Sequence, residues 1–370
     1  MQSLPTLPSV TKLSSVVTRV LGQNPGRYTL QGTNTYLLSH PSTSSLILLD
    51  TAQGISSYIP LLRPLLNPSS RVTIILSHWH EDHVGGLPAV LRLLHELGCP
   101  KPKVWKFAEA GGTRDQGVEA GLEGKEEAEW LEKASPDEAL MEGGRISRLR
   151  DGQVLKLLAD GRKEGEKGAL DEHDGLPQLE VIHTPGHTSD SISILLTTPF
   201  SPDSASSSPP VLFTFDTVLG HGTAVFEDLG AYMSSLTKCF DTLSALPNGE
   251  AIQLYPGHGE VIDNGAAKLK EYLKHRQERE DQVVEALKSA KDGEKSTAEG
   301  LCATIYGSTI PDALRPAATR GLILHLEKLE REGRVERAAS GAVEGEPMPG
   351  WNDGWRWGTA EAEEGRGSNL

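Results

Sequence analysis

Short apolar runs and polar turns alternate along the first two thirds of the chain. Val16, Val17, Val20 and Leu21 read as a first strand. Tyr36 to Leu38 and Leu46 to Leu49 read as two more, reached through the loop NPGRYTLQGT. Val72, Ile74, Ile75 and Leu76 form a buried-type strand, and Val104 to Phe107 and Val154 to Leu158 continue the series. Residues 55–67 and 87–97 carry helical patterns, each after a turn. Strands interleaved with helices predict a layered α/β architecture, which the pattern alone does not separate from a doubly wound sheet.

Where these strands end, the polar residues are of one chemical kind. The run ending at Leu76 leads into HWHEDH, which carries His78, His80, Asp82 and His83. Leu179, Val181 and Ile182 lead into TPGHT with His187. Val211, Leu212 and Phe213 lead to Asp216, and Ile252 and Leu254 lead to YPGHG with His258. Imidazole and carboxylate are the nitrogen and oxygen ligands that zinc accepts. Alternate residues of an extended segment point to opposite sides, so four such groups in six residues suit two neighbouring metals better than one. Glycine beside a ligand lets backbone approach closely, and proline fixes the turn that aims it.

In this order, HWHEDH, TPGHT, the strand-end Asp216 and PGHG resemble the metallo-β-lactamase superfamily of metal hydrolases, over residues of about 16 to 265. GTNTYLL at 32–38 and VLGHGTAVFEDLGAYMSSL at 218–236 are similar to the branch that holds lactamase-β-like protein 2 and the lactamase-like thioesterases of fungal polyketide pathways. The resemblance implies an αββα sandwich with metals at one edge. It implies one zinc ion on His78, His80 and His187, a second on Asp82, His83 and His258, and Asp216 bridging the two. Phe215 stands where the family usually has glycine. The resemblance also implies a small winged-helix domain over residues 266–340, after a catalytic domain over 1–265. ALRPAATRGLILHLEKLEREGRV supplies its helix pattern.

Two zinc ions can share a hydroxide and polarise a scissile carbonyl or phosphoryl oxygen, with Asp82 as both ligand and catalytic group. Glu81 and Asp190 are candidates to orient the imidazoles. Trp79 and Asn34 either face the cleft or serve packing and turns.

Three segments read as insertions. Residues 109–142 hold eleven Asp or Glu against three Lys or Arg, a net of −8, and read as a solvated helix pair or a lid. Residues 160–175 read as a loop, and the Ser/Pro run near 200–210 has too few apolar residues for a core. In the tail over 341–370, Trp351, Trp355 and Trp357 are expected to pack on the winged-helix domain as its last strand, with partner docking as the alternative.

Composition narrows the function classes. The 370 residues are 37% hydrophobic, enough for a large domain and a small one. Cys99, Cys239 and Cys302 are far apart and odd in number, so no disulfide framework is expected. No apolar run approaches the ~18 residues of a spanning helix, so no membrane partner is expected. The cytoplasm is the expected compartment. A short mitochondrial presequence is the alternative, since no acidic residue precedes Asp50.

A formal charge of −15 gives no long-range attraction for a polyphosphate. A thiolate, whose conjugate acid has a pKa of about 8.5, leaves with little help from a general acid. The favoured substrate is therefore an acyl-thioester, carried by a coenzyme or by the acyl carrier protein of a polyketide synthase. The alternative is an endoribonuclease acting on single-stranded RNA, gripped with the help of the winged-helix segment. KLKEYLKHRQERE at 268–280 is a local basic helix whose favoured reading is a solvated face with paired charges. A scaffold without activity has no use for seven ligand-type residues.

Overall fold

The computed structural model describes residues 4–107, 146–157, 176–198, 209–290, 295–307, 309–338 and 350–358. The acidic segment 109–142, the loop at 160–175 and the Ser/Pro run at 201–208 lie outside the described residues. The chain divides into two compact units. One comprises Met1–Phe226 and Ser234–Lys270, the other Glu227–Met233 and Glu271–Leu370.

The first unit is built on two sheets. Strands β1 (Val10–Lys12), β2 (Val17–Leu21), β3 (Asn34–Ser39), β4 (Ser45–Leu49), β5 (Arg71–Leu76), β6 (Lys103–Phe107) and β7 (Ile146–Leu149) form one sheet in chain order. The pairs from β1 to β4 are antiparallel, and those from β4 to β7 are parallel. The second sheet runs β12 (Gln253–Pro256), β11 (Val211–Phe215), β10 (Ile192–Thr197), β9 (Gln178–His183), β8 (Val154–Lys156). Within it the β11–β12 pair is parallel, and the other pairs are antiparallel.

All five residues of β4 are buried, and their side chains alternate between two cores. Ile47 and Leu49 face the core shared with Val181, Ile194 and Phe213 of the second sheet. Leu46 and Leu48 face the opposite core, against Leu62, Val90 and Leu94 of the helices. A period of two on a strand buried on both faces places one sheet between its partner sheet and a helical layer. The two packed sheets agree with the sandwich that the resemblance implies, not with a doubly wound sheet.

Two expectations are corrected. The strand series begins before Val16, because β1 pairs antiparallel with β2. The helix expected over 55–67 is short: α1 covers Ile59–Leu62, and a 3-10 turn covers Arg63–Leu65. Pro60 suits a first turn, but Pro64 has no N–H for the bond that would extend the α-helix. After β5 come α2 (Glu81–Val84) and α3 (Leu87–Glu96), the latter within the expected 87–97. Next are α4 (Leu229–Ser244) and α5 (Gly265–Ser289).

The second unit holds α6 (Ala298–Tyr306), α7 (Arg315–Arg331) and the hairpin β13 (Val335–Ala338) with β14 (Gly354–Trp357). Its core joins Leu301, Leu322, Leu326 and Leu329 to Trp355. Of the tail tryptophans, Trp355 and Trp357 lie on this last strand, and Trp351 packs against the same core ahead of it. Among the described residues, no helix is long and apolar enough to cross a membrane.

Candidate metal centre

The strand ends converge on one edge of the sandwich. The turn after β5 carries His78, His80, Asp82 and His83, and the turn after β9 carries His187. Asp216 directly follows β11, and His258 follows β12 by one residue. The edges are stitched together by backbone bonds: Ile192 N–H donates to Ser77 O at 3.1 Å, and Asn34 N–H to Gly257 O at 2.7 Å. All seven candidate side chains are brought together. The ligand atoms of His78, His80 and His187, of His78, His83 and Asp216, and of Asp82, His83 and His258 each lie within 4.8 Å of one another.

The orientation of each imidazole has a cause. Asp50, at the end of β4, is fully buried and accepts Ser77 N–H at 2.7 Å, Ser77 Oγ–H at 2.8 Å and His83 Nδ1–H at 2.7 Å. With its proton committed to Asp50, Ser77 Oγ accepts from His78 Nδ1 at 3.0 Å. His187 Nδ1 donates to Val225 O at 2.8 Å. These bonds leave the Nε2 lone pairs of His78, His83 and His187 for the centre. Asp82 Oδ2 accepts from Thr33 Oγ1 at 3.0 Å.

Asp50, Ser77, Thr33 and the Val225 carbonyl were not singled out from the sequence. Asp50 alone left a signal: a lone acid ending a buried run, as Asp216 does. Of the orienting candidates, Glu81 is exposed. Asp190 accepts from Thr188 Oγ1 at 2.7 Å and pairs with buried Lys106, so it orders the turn after His187. Asn34 serves the turn at His258, donating to Pro256 O and Gly259 O. Trp79 packs edge-on against His80 at 4.4 Å between ring centres.

Backbone shape matters at two points. A Cβ on Gly257 would meet Asp216 Oδ1 at 2.2 Å, so the PGHG turn fits beside Asp216 only with glycine. Phe215, where the family usually has glycine, adopts φ 45° at a bulge between β11 and β12. Its ring is buried, and its carbonyl accepts Gly257 N–H at 2.8 Å, which holds the strained conformation.

The electrostatics suit a cation. Burial pushes His78 well below its ordinary pKa, and the neighbouring imidazoles add to this. Burial also takes His80 down to about 4. Burial acts to raise Asp216, but His258 and His83 overcome it and hold the carboxylate well below its usual range. Asp82 is likewise held low, against burial, by His83 and His258. His83 and His258 move up despite burial because Asp82 and Asp216 flank them, and His258 reaches about 9. The site thus combines ionised carboxylates with two imidazoles, His78 and His80, that resist protons, and two, His83 and His258, whose protons a bound metal would replace.

Two further observations fit a metal. His83 Nε2 and Asp216 Oδ1 are buried, lie 3.2 Å apart and have no hydrogen-bond partner. His80 Nδ1 stands 3.0 Å from both His78 Nε2 and His187 Nε2. One proton on His80 can serve one of those contacts, whereas a cation serves all three nitrogens.

Comparison with known proteins agrees. The profile of the metallo-beta-lactamase superfamily matches residues 28–198, and that of the beta-lactamase associated winged helix domain matches residues 297–344. Over 338 residues the chain is 34% identical to the Beta-lactamase-like protein 2 homolog of Drosophila melanogaster, covering 90% of this chain and 94% of that protein. The chain belongs to the metallo-β-lactamase superfamily. It is accordingly placed among metal-dependent hydrolases. It is also 32% identical over 339 residues to the Atrochrysone carboxyl ACP thioesterase AgnL7 of Paecilomyces divaricatus, covering 90% of this chain and 85% of that one. A Beta-lactamase domain protein from Burkholderia ambifaria, 16% identical, shares the fold with a TM-score of 0.61 over 95% of each chain.

Proposed function

We propose that this superfamily member is a dinuclear-zinc thioesterase that releases an acyl chain from a carrier protein or coenzyme. His78, His80 and His187 would hold one zinc ion, Asp82, His83 and His258 the other, and Asp216 would be shared. Bound zinc supplies Lewis acidity and brings the pKa of water toward neutrality. Asp82 has a second task. Its Oδ2 is engaged by Thr33 and lies 3.2 Å from His258 Nε2. Its other oxygen would accept a hydrogen bond from the attacking water and so aim that water's lone pair at the carbonyl carbon. His83, pinned by Asp50, keeps its ring fixed while charge develops.

The observation that carries the choice of substrate is the cavity beside the centre. It has a volume of about 390 Å³, and its walls include Leu30, Leu219 and Val225. That volume falls in the range of small-molecule sites, and such walls suit an acyl group better than a polyanion. A thiolate leaving group also asks for little acid assistance. The relative named as an acyl-carrier-protein thioesterase supports a carrier-bound substrate.

The test is thiol release from a panel of acyl-thioesters, with native protein, chelator-treated protein and Asp82→Ala compared, and single-stranded RNA run beside it. Metal-dependent thiol release that disappears in Asp82→Ala is expected. Metal-dependent RNA cleavage without thiol release would replace the thioesterase with a ribonuclease.

A further inference from the structure

Tyr28 is 70% exposed and Val225 60% exposed, the two highest values among the described large hydrophobic residues left in solvent. Both line the cavity that holds His80, Asp82 and His187. Exposed apolar side chains are ordinary when scattered, and informative when two converge on a reactive site.

The segments that carry them are held by the centre itself. Around Tyr28 the loop is closed by Gly26 N–H to Leu30 O at 3.1 Å and by Thr29 Oγ–H to Asn24 O at 2.6 Å. Leu30 takes φ 54° at its turn. The loop's root is fixed by Asn24 Oδ1, which accepts Thr33 N–H at 2.9 Å, while Thr33 Oγ1 donates to Asp82. A tied loop that holds an aromatic ring in water has not collapsed its apolar surface, so the ring is displayed for a ligand. The wall from Leu219 to Val225 is fixed at both ends. Gly220 N–H donates to His258 O at 2.9 Å, and Val225 O accepts from His187. Each wall therefore keeps a set distance from the reacting atoms without a substrate to order it.

We infer that Tyr28 and Val225 are specificity-determining residues that grip the apolar body of the acyl group, and that Tyr28 selects acyl groups bearing an aromatic ring. The inference rests on the thioesterase reading. An aromatic face offers offset or edge contacts to another ring, which a short alkyl chain cannot return. Arg27, whose guanidinium lies 5.7 Å from the Tyr28 ring centre, polarises that ring from its other neighbour in the loop.

The experiment compares native protein, Tyr28→Ala, Tyr28→Phe and Val225→Ser on 2-naphthoyl and acetyl thioesters of N-acetylcysteamine. Metal content is read alongside, and binding of free 2-naphthoic acid is followed by calorimetry. Tyr28→Ala should lower the preference for naphthoyl over acetyl about tenfold, through KM, with metal content intact. Tyr28→Phe should restore the preference, and Val225→Ser should lower it in the same direction. An unchanged preference in Tyr28→Ala, or equal loss in Tyr28→Phe, would overturn the inference. So would a fall in kcat shared by both thioesters.

If the native protein releases thiol from neither compound, the thioesterase reading fails, and naphthoic acid binding decides the inference separately. Binding that weakens in Tyr28→Ala and returns in Tyr28→Phe upholds it. Absent or Tyr28-independent binding overturns it. Weakened binding of single-stranded RNA in Tyr28→Ala, with naphthoic acid binding untouched, also overturns it and makes Tyr28 a base-stacking platform.

Discussion

One buried carboxylate, Asp50, sets the direction of two imidazoles, one directly and one through Ser77. In Asp50→Asn, an amide oxygen kept on Ser77 N–H puts the NH₂ where Asp50 Oδ2 accepted both Ser77 Oγ–H and His83 Nδ1–H. His83 would then flip its tautomer or lose its orientation. The expected result is a 10–100-fold loss of metal affinity, because His83 loses its partner directly and His78 loses the Ser77 hydroxyl that Asp50 held. Competition with a chromophoric chelator measures it, and unchanged affinity would refute the assignment. The same residues predict a pH signature for protein stripped of metal. His258, raised to about 9 from 6.5, contributes stability that is full below 6.5 and lost as pH rises through about 9. His80, lowered to about 4, acts in the opposite sense: it stays neutral in the fold, so stability falls as pH drops from 6.5 toward 4. Thermal melts of chelator-treated protein should therefore peak near pH 6.5, and added zinc should remove the alkaline limb by replacing the His258 proton. A monotonic profile would contradict this. The seven ligand-type residues were legible because each is an unusual polar group closing a buried run. Thr33 and Ser77 were not, since a hydroxyl in a turn looks the same whether it caps a turn or holds a carboxylate.

At the scale of elements, strand ends were easier to read than helices. Periodicity marks a strand buried on both faces, but it does not show that the bond lost at Pro64 stops α1 after four residues. The turns are more demanding than their composition suggests, and Gly257 makes the point testable. In Gly257→Ala the new methyl would stand 2.2 Å from Asp216 Oδ1 and 2.9 Å from His83 Cε1, with Phe215 backbone behind it at 3.1 Å. Asp216 is the group that must yield. Metal content should fall sharply while the secondary structure stays intact by circular dichroism. Gly98→Ala is the control: its φ is +73°, but no atom lies within 4 Å. It should cost only about 1 kcal/mol and keep its metal. Equal metal loss in both variants would mean that general destabilisation, not crowding of Asp216, is the cause.

At the scale of the whole chain, the second unit depends on a strand that only the tail tryptophans announce. The winged-helix profile ends at residue 344, yet β14 lies at Gly354–Trp357, beyond it. What ties β14 in is visible in the contacts. Trp355 is fully buried among Leu322, Leu326 and Val335, and its N–H and C=O both pair with Ser296. Trp357 instead stays partly exposed, with Lys288 4.5 Å and Arg334 5.7 Å from its ring centre. Two residues apart, both tryptophans point to the same face of β14, Trp355 in the core and Trp357 packed at its edge. Trp355→Ala should destabilise this unit by about 3–5 kcal/mol, because a large ring leaves a cavity that the helices cannot fill. Trp357→Ala should cost only about 1–2 kcal/mol, the worth of two partly solvated cation–ring contacts. Hydrogen exchange resolved to peptides measures both: protection in α7 should collapse in Trp355→Ala and persist in Trp357→Ala, while peptides around His78 keep theirs. If the two variants weaken α7 equally, β14 is a surface strand, and the core of this unit is complete without it.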